Sequence, residues 1–334
     1  MQNNTNYKRL LDDIGSTIQT ARFNAITVVN TELVKANWGI GKHIIEFEQK
    51  GKEKAEYGIA LLSDLSKDLK LRYGKGFSKS NLYSCRLFYL KYPKFQTVSG
   101  KLSWSHYVEL ISLTDDLERY FYEIQSVNDS WSFREMKRQI NSALFQRIAL
   151  SKDKKNILSL AKKGSKIKVH SDVVRDPYVF EFLGIAEKDM IKEKELEKKL
   201  MDKLQQFLLE LGKGFSFVAR QFKITIDNQH LFVDLVFYHR ILKCFVLIDL
   251  KTRKVKHQDI DQMNLYLNYF KEEENSKDDN EPIGIIIAAE KNVFVVKYAT
   301  GGLSNKIFVS RYQLYLPDKK LLEKKVNEIL NNES

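Results

Sequence analysis

The run from Leu231 to Thr252, LFVDLVFYHRILKCFVLIDLKT, sets two strand-like apolar segments around an isolated Asp234 and an Asp249–Lys251 pair. Cys244 to Leu250 is almost continuously apolar, the pattern of a strand buried within a sheet. Residues two apart on a strand share a face, so Asp249 and Lys251 stand together while Leu250 points away. An acid at the end of such a strand is costly unless a partner or an ion compensates it. Two converging carboxylates can hold a divalent metal through oxygen. A lysine beside them can position a water and stabilise developing negative charge. The competing reading of the same residues is a buried structural ion pair between Asp249 and Lys251.

After a short basic stretch the pattern turns helical, with apolar Ile260, Met263, Leu265, Leu267 and Phe270. Gln262 and Tyr266, four apart, stack on one helical face. An acid on one strand, acid-x-Lys on the next, then Gln-x-x-x-Tyr on the following helix resembles the PD-(D/E)XK nuclease superfamily. Nearly the whole chain is similar to the YhcG-type family of bacterial proteins, which join an N-terminal domain to a C-terminal PD-(D/E)XK nuclease domain. The stretches that carry this resemblance include LSWSHY from Leu102, RQINS from Arg138, DPYVFEFLG from Asp176, FLLELGKGF from Phe207, DLVFYH from Asp234 and QMNLYL from Gln262.

The resemblance implies a metal-dependent nuclease. Asp234 and Asp249 would ligate Mg2+ or Mn2+, Lys251 would assist the water, and Gln262 would support the site from its helix beside Tyr266. Glu197 matches the acid that many superfamily members carry on the first helix of the core, although within EKELEKK it reads as a surface residue on pattern alone. Two departures stand out. Val233 occupies the place of the proline in the superfamily's name, and Asp249 stands where relatives of this type usually carry Glu. The loss of one methylene retracts the carboxylate by roughly 1.5 Å.

Length and charge fit this reading. A chain of 334 residues has room for two cores. Lys and Arg number 55 against 43 Asp and Glu, a surplus of +12 that favours a polyanionic partner such as nucleic acid. Cys85 and Cys244 make neither a disulfide framework nor a zinc spacing, which suits a reducing compartment. The six histidines form no HExxH-like ligand pair. No signal-peptide core opens the sequence and no apolar run reaches membrane-spanning length, so a soluble, cytoplasmic protein without membrane contact is expected.

Three regions are expected: a mainly α domain over 1–150, a basic linker over 151–170, and an α/β domain with a mixed central sheet over 171–334. In the first, apolar residues recur at helical spacing, as at Ile18, Ala21, Ile26, Val29 and Leu33. A helix ending near Leu71, a turn with Gly74 and Gly76, and a helix capped by Ser78 outline a helix-turn-helix. Its second helix presents Lys79, Asn81, Tyr83 and Arg86 as candidate nucleic-acid contacts; an ordinary helical hairpin accounts for the same pattern. Ser132 and Glu135 fit a capping box.

In the C-terminal domain a helix is expected over Lys194–Leu211. Strands are expected near Phe215–Gln221, Lys223–Ile226, Leu231–His239, Lys243–Lys251, Ile283–Ala289, Val293–Tyr298 and Ile307–Ser310, with turn residues at Asp227–Asn228. Arg220, Gln221, His239, Arg253, Lys256 and Tyr266 flank the site as candidate contacts to nucleic acid, with duplex or branched DNA the expected substrate. A homodimer is expected, because one active site cuts one strand and two-fold symmetry matches a duplex. Trp38, Phe88, Trp104 and Trp131 offer aromatic surface for it, although most of these rings fit the core of the helical domain. Two other readings fit the same residues: a DNA-binding regulator that keeps an idle nuclease fold, and an assembly subunit acting through its helical half.

Overall fold

Glycine, capping and apolar spacing place most elements of this chain. The computed structural model describes residues 2–50, 57–95, 100–150, 152–165, 167, 169–185, 191–290 and 306–331. It divides into two units, Met1–Lys137 and Arg138–Ser334.

The first unit holds helices α1 (Gln2–Lys50), α2 (Tyr57–Tyr73), α3 (Lys79–Lys91), α4 (Trp104–Ser112) and α5 (Asp116–Asp129); α6 (Phe133–Asn141) begins within it. Helices α1 and α3 touch backbone to backbone at Gly41, where an added Cβ would lie 2.0 Å from the Cys85 carbonyl oxygen. Val34, Ile44, Ile45, Leu82 and Phe88 are buried there. Gly74 (φ 85°) and Gly76 (φ 115°) turn the chain between α2 and α3 through the left-handed region that glycine enters without steric cost. Ser78 caps α3 by accepting from the Asn81 N–H at 3.1 Å. Ser132 and Glu135 form the expected reciprocal cap.

Two helices joined by a glycine turn are therefore present, and the second is tied into its own unit. Asn81 donates to the Gly76 carbonyl (2.9 Å) and accepts from Trp104 Nε1 (2.8 Å). Arg86 Nε lies 2.9 Å from both carboxylate oxygens of Glu48. Both side chains thus have partners within the unit, whereas Lys79 stays exposed. The aromatic residues are likewise interior features. Phe88 is fully buried against Tyr92, Trp104 and Tyr107, and Trp38 Nε1 donates to the Tyr92 carbonyl at 2.7 Å.

The second unit is an α/β layer structure. Helices α7 (Leu144–Ala149) and α8 (Lys154–Lys163) precede strand β1 (Tyr178–Val179), and α9 (Glu193–Asp202) and α10 (Leu204–Leu211) follow it. Then come β2 (Phe215–Ile226), β3 (Gln229–His239), β4 (Cys244–Lys254), α11 (His257–Tyr269), β5 (Ile283–Glu290), β6 (Lys306–Gln313) and α12 (Lys319–Asn331). The six-stranded sheet runs β1-β6-β5-β4-β3-β2. Strands β2, β3 and β4 pair antiparallel, and β4, β5, β6 and β1 pair parallel. Asp227 (φ 45°) and Asn228 (φ 61°) make the tight β2–β3 turn with the paired positive φ of a type I′ hairpin.

One sheet face packs Leu235, Phe237, Val246 and Ile248 under Leu196, Leu200, Phe207 and Leu211 of α9 and α10. The other packs Val236, Leu247 and Ile286 against Ile260, Met263 and Leu267 of α11. Among the described residues no helix is long and apolar enough to cross a membrane.

Several expectations are corrected here. The stretch read as a linker contains α8, started by Asp153 accepting from the Asn156 N–H (2.8 Å) and held by buried Ile157, Leu160 and Ala161. The expected helix over 194–211 is two helices, parted where Lys203 (φ −118°) leaves helical geometry. The two strands expected over 215–226 are one. The strand expected at 293–298 lies outside the described residues.

The two units part at Lys137 and Arg138, and Glu210 shows what ties the residues after that point to the second unit. This fully buried carboxylate receives Arg147 Nη1 at 2.8 Å and Arg138 Nη1 at 3.2 Å, with Arg175 Nη1 at 3.6 Å and the Val179 N–H at 2.9 Å. Residues 138–149 thus belong electrostatically to the α/β unit. Burial pushes the Glu210 carboxyl up, but Arg147, Arg175 and Arg138 outweigh it and hold it below its usual range. Glu210→Ala strands three guanidinium groups in the interior and is expected to cost about 3–5 kcal/mol. Because the folded pKa is depressed, this contribution is present above the ordinary value of 4.5 and fades as pH falls below it. Thermal melts of both proteins from pH 7 down to pH 3 check this, the gap in Tm narrowing on the acid side.

Candidate active site

The β3–β4 ladder ends at the pair Leu235↔Ile248, one step before Asp234 and Asp249 would oppose each other. On its other edge β4 continues to pair with β5 as far as Lys251↔Ala288 and beyond, so the opening lies on the β3 side alone. In place of a backbone partner, the Leu250 N–H donates to Asp234 Oδ2 at 2.8 Å. One acid from each strand is thereby brought to a single point. Asp249 and Lys251 alternate with Ile248 and Leu250, sharing the strand face of Leu247.

Asp249 is 2% exposed, and its Oδ2 lies 2.6 Å from Lys251 Nζ. That contact is a short, buried ion pair. Burial, and after it the Asp234 carboxylate, push the Asp249 carboxyl up to about 7 against the pull of Lys251. Burial works against the Lys251 charge, but Asp249 prevails and holds its pKa above the usual value. The lysine is a cation at neutral pH.

Gln221 connects a further acid. It stands on β2 between the pairs Arg220↔Leu235 and Phe222↔Val233, opposite Asp234, with φ at 49°. Left-handed backbone within a strand is strained for a side chain of this size. Its Nε2 donates to Asp234 Oδ1 (3.0 Å) and to Glu197 Oε2 (2.8 Å), while Arg220 Nε donates to Glu197 Oε1 (2.5 Å). Glu197 is therefore buried rather than on the surface, and it reaches Asp234 through Gln221.

On the other side, Arg253 clasps Asp259 with two bonds of 2.7 Å, and Asp259 accepts from the Lys256 N–H at 2.8 Å. This pins the start of α11 to the end of β4. Gln262 Nε2 donates to the Tyr266 hydroxyl, which donates to the Phe232 carbonyl of β3 at 2.9 Å. Burial, then the charges of Asp249 and Asp234, raise the Tyr266 hydroxyl to about 12, with the Gln262 bond opposing. Tyr266 is fully buried, so its role as a nucleic-acid contact is corrected to that of a brace between α11 and β3.

His239 is corrected in the same way. It is buried, its Nδ1 accepts from the Leu242 N–H (3.1 Å), and its Nε2 lies 3.1 Å from the Lys213 carbonyl. Arg220 and Arg253 are likewise engaged, with Glu197 and Asp259. Glu193 was not singled out from the sequence. It accepts from the Thr252 N–H at 3.3 Å, and its charge reaches Lys251 and Arg253. The signal was there: Glu193 lies four residues before Glu197, on the same face of α9.

The residues fit a hard divalent cation. Two carboxylates adjoin, and burial together with the charge of Asp234 pushes the Asp249 carboxyl up, a cost that a bound divalent cation would relieve. Among the described residues no three His, Cys, Asp or Glu side chains gather into a metal-holding group. Such a site would complete its coordination with water and substrate oxygens, as Mg2+ commonly does.

A mixed sheet that parts to set acid against acid-x-Lys, with a Gln–Tyr helix behind, defines a PD-(D/E)XK nuclease domain. Residues 171–327 match the YhcG PDDEXK nuclease domain, and residues 13–147 match the DUF1016 N-terminal domain. "Putative nuclease YhcG" of Escherichia coli (strain K12) is 38% identical over 348 aligned positions, covering 95% of this chain and 92% of its own length. The chain belongs to the YhcG family. Two solved structures are also similar. A repair endonuclease from Pyrococcus abyssi has a TM-score of 0.27 at 21% identity, covering 40% of this chain and 50% of its own. The EndoMS-dsDNA2 complex has a TM-score of 0.27 at 14% identity with the same coverage.

The electrostatics of the site predict a stability effect independent of catalysis. Lys251→Met leaves Asp249 and Asp234 without their buried cation. Without added metal it is expected to cost about 3–5 kcal/mol, or roughly 6–20 °C in Tm. Adding Asp249→Asn to Lys251→Met should recover most of the loss, measured by scanning calorimetry in a chelating buffer.

Proposed function

We propose that this chain is a divalent-metal-dependent nuclease that hydrolyses phosphodiester bonds in DNA. The observation that carries the reading is the parting of β3 from β4 at Asp234 and Asp249, which gathers two acids and Lys251 where the ladder opens. Asp234 and Asp249 would hold Mg2+ or Mn2+, which when bound supplies Lewis-acid stabilisation and a more acidic water. Lys251, protonated at neutral pH, offers N–H donors and positive charge to oxygens on which negative charge builds. Asp234 is held for its role by the Leu250 N–H and by Gln221. Gln262 and Tyr266 keep α11 against β3, so the acid side chains need little reorganisation as the reaction proceeds.

The net charge of +12 and membership in a family with a nuclease domain support a nucleic-acid substrate. Duplex and branched DNA are the expected forms. Purified full-length protein incubated with duplex, branched and single-stranded DNA and with RNA should cut DNA with Mg2+ or Mn2+ and leave it intact in chelator.

Asp234→Ala and Lys251→Ala are each expected to lower the cleavage rate by at least roughly 100-fold, with DNA retention in gel-shift assays preserved. Asp249→Glu should match or exceed the parent rate if the shorter acid under-reaches the metal, and fall below it if the site has adapted to Asp. Unchanged cleavage in Asp234→Ala would remove the assignment. DNA retention without cutting by the parent protein would favour the regulator reading.

A further inference from the structure

Helix α1 carries an apolar seam that its own unit leaves uncovered. From Tyr7 to Val28, apolar residues recur at 7, 11, 14, 18, 21, 25 and 28, alternating steps of four and three. That period of 3.5 is the a/d pattern of a left-handed coiled coil. Tyr7, Leu11, Ile14, Ile18 and Val28 are 46–62% exposed, and Leu10 and Val29 widen the same stripe. Val34, Gly41 and Ile45 pack α1 against the rest of its unit. At about 100° per residue they lie on roughly the opposite face of the helix. The uncovered seam belongs to the N-terminal half, away from the helix's own core contacts.

We propose that this seam pairs with the same seam of a second copy of the chain, antiparallel, making a homodimer. Three features select that occupant. In an antiparallel coiled coil a positions meet d positions. One two-fold register then places Ile18 on Ala21, Ile14 on Ala25 and Leu11 on Val28, large against small or medium in every layer. A surface of this form is complementary to itself, as a two-fold interface requires. Charge sets the direction. The next seam position after Val28 is Glu32, which the antiparallel register sets against Tyr7, beside Lys8 of the other copy. A parallel pairing would set Glu32 against Glu32 inside the seam. The extent also suffices: Tyr7, Leu10, Leu11, Ile14, Ile18, Val28 and Val29, each 46–62% exposed, form one stripe on the order of the few hundred Å2 at which an exposed apolar patch marks an interaction site.

Light scattering on the full-length protein at micromolar concentration is expected to give twice the 39.1 kDa chain mass. Ile14→Asp with Ile18→Asp should halve it. Because an unpaired helix half can fray, a second measurement reads the pairing directly. Tyr7→Cys and Glu32→Cys proteins, one carrying a tag, are mixed, allowed to exchange and treated with a short bismaleimide; the native Cys85 and Cys244 are buried. The expected product is a cross-link between the two variants, with neither linking efficiently to itself. A parent protein of monomer mass, a dimer untouched by the aspartates, or self-linking of Tyr7→Cys would each overturn the proposal.

Discussion

The centre of the α/β unit is organised by one hydrogen bond in an unexpected place. Where β3 and β4 should exchange backbone bonds, the Leu250 N–H donates to the Asp234 side chain. A carboxylate can take that place only if the strands separate, and separation creates the opening in which Asp234, Asp249 and Lys251 meet. The strain at Gln221 follows from the same geometry. Its left-handed backbone lies at the β2 position opposite Asp234, and its amide holds the second Asp234 oxygen while linking it to Glu197. The helices respond to it too. Asp259 and Arg253 fix the start of α11 at the end of β4, and Tyr266 ties α11 to Phe232, two residues before Asp234.

Electrostatically the unit holds two unlike solutions to burying a carboxylate. Glu210 is surrounded by three arginines and a backbone N–H, and stays ionised below its ordinary pKa. Asp249 has one lysine and a second acid nearby, and its carboxyl is pushed up to about 7. The first arrangement is saturated with positive charge and ties residues 138–149 to the sheet. In the second, burial and the neighbouring acid outweigh the one lysine.

The helical unit invites a different comparison. Its interior is finished: Phe88, Tyr92, Trp104 and Tyr107 pack ring against ring, and the turn-facing helix α3 spends Asn81 and Arg86 on Gly76, Trp104 and Glu48. Among its described residues the N-terminal half of α1 keeps an exposed apolar stripe, and the pattern changes face at about Val34.

Much was legible in the residues alone. Apolar runs, continuous in β4 and β5, located β3, β4 and β5, the Asp227–Asn228 pair located the hairpin turn, and Ser78 and Ser132 located helix starts, because these signals act over a few residues of local backbone. Asp234, Asp249 and Lys251 stood out as candidates, since acids and lysine in apolar strands demand an explanation, and Gln262 entered through the resemblance. Sequence spacing could not show that the ladder stops one pair early, that Gln221 turns left-handed beside Asp234, or that Glu197, in a surface-like EKELEKK run, is buried. Nor could it show that Arg138 and Arg147 belong with Glu210, or that His239 and Tyr266 are sealed from solvent. Those facts depend on contacts between residues far apart in the chain, where the partner, and not the local pattern, decides whether a polar group is exposed, braced or left wanting a charge.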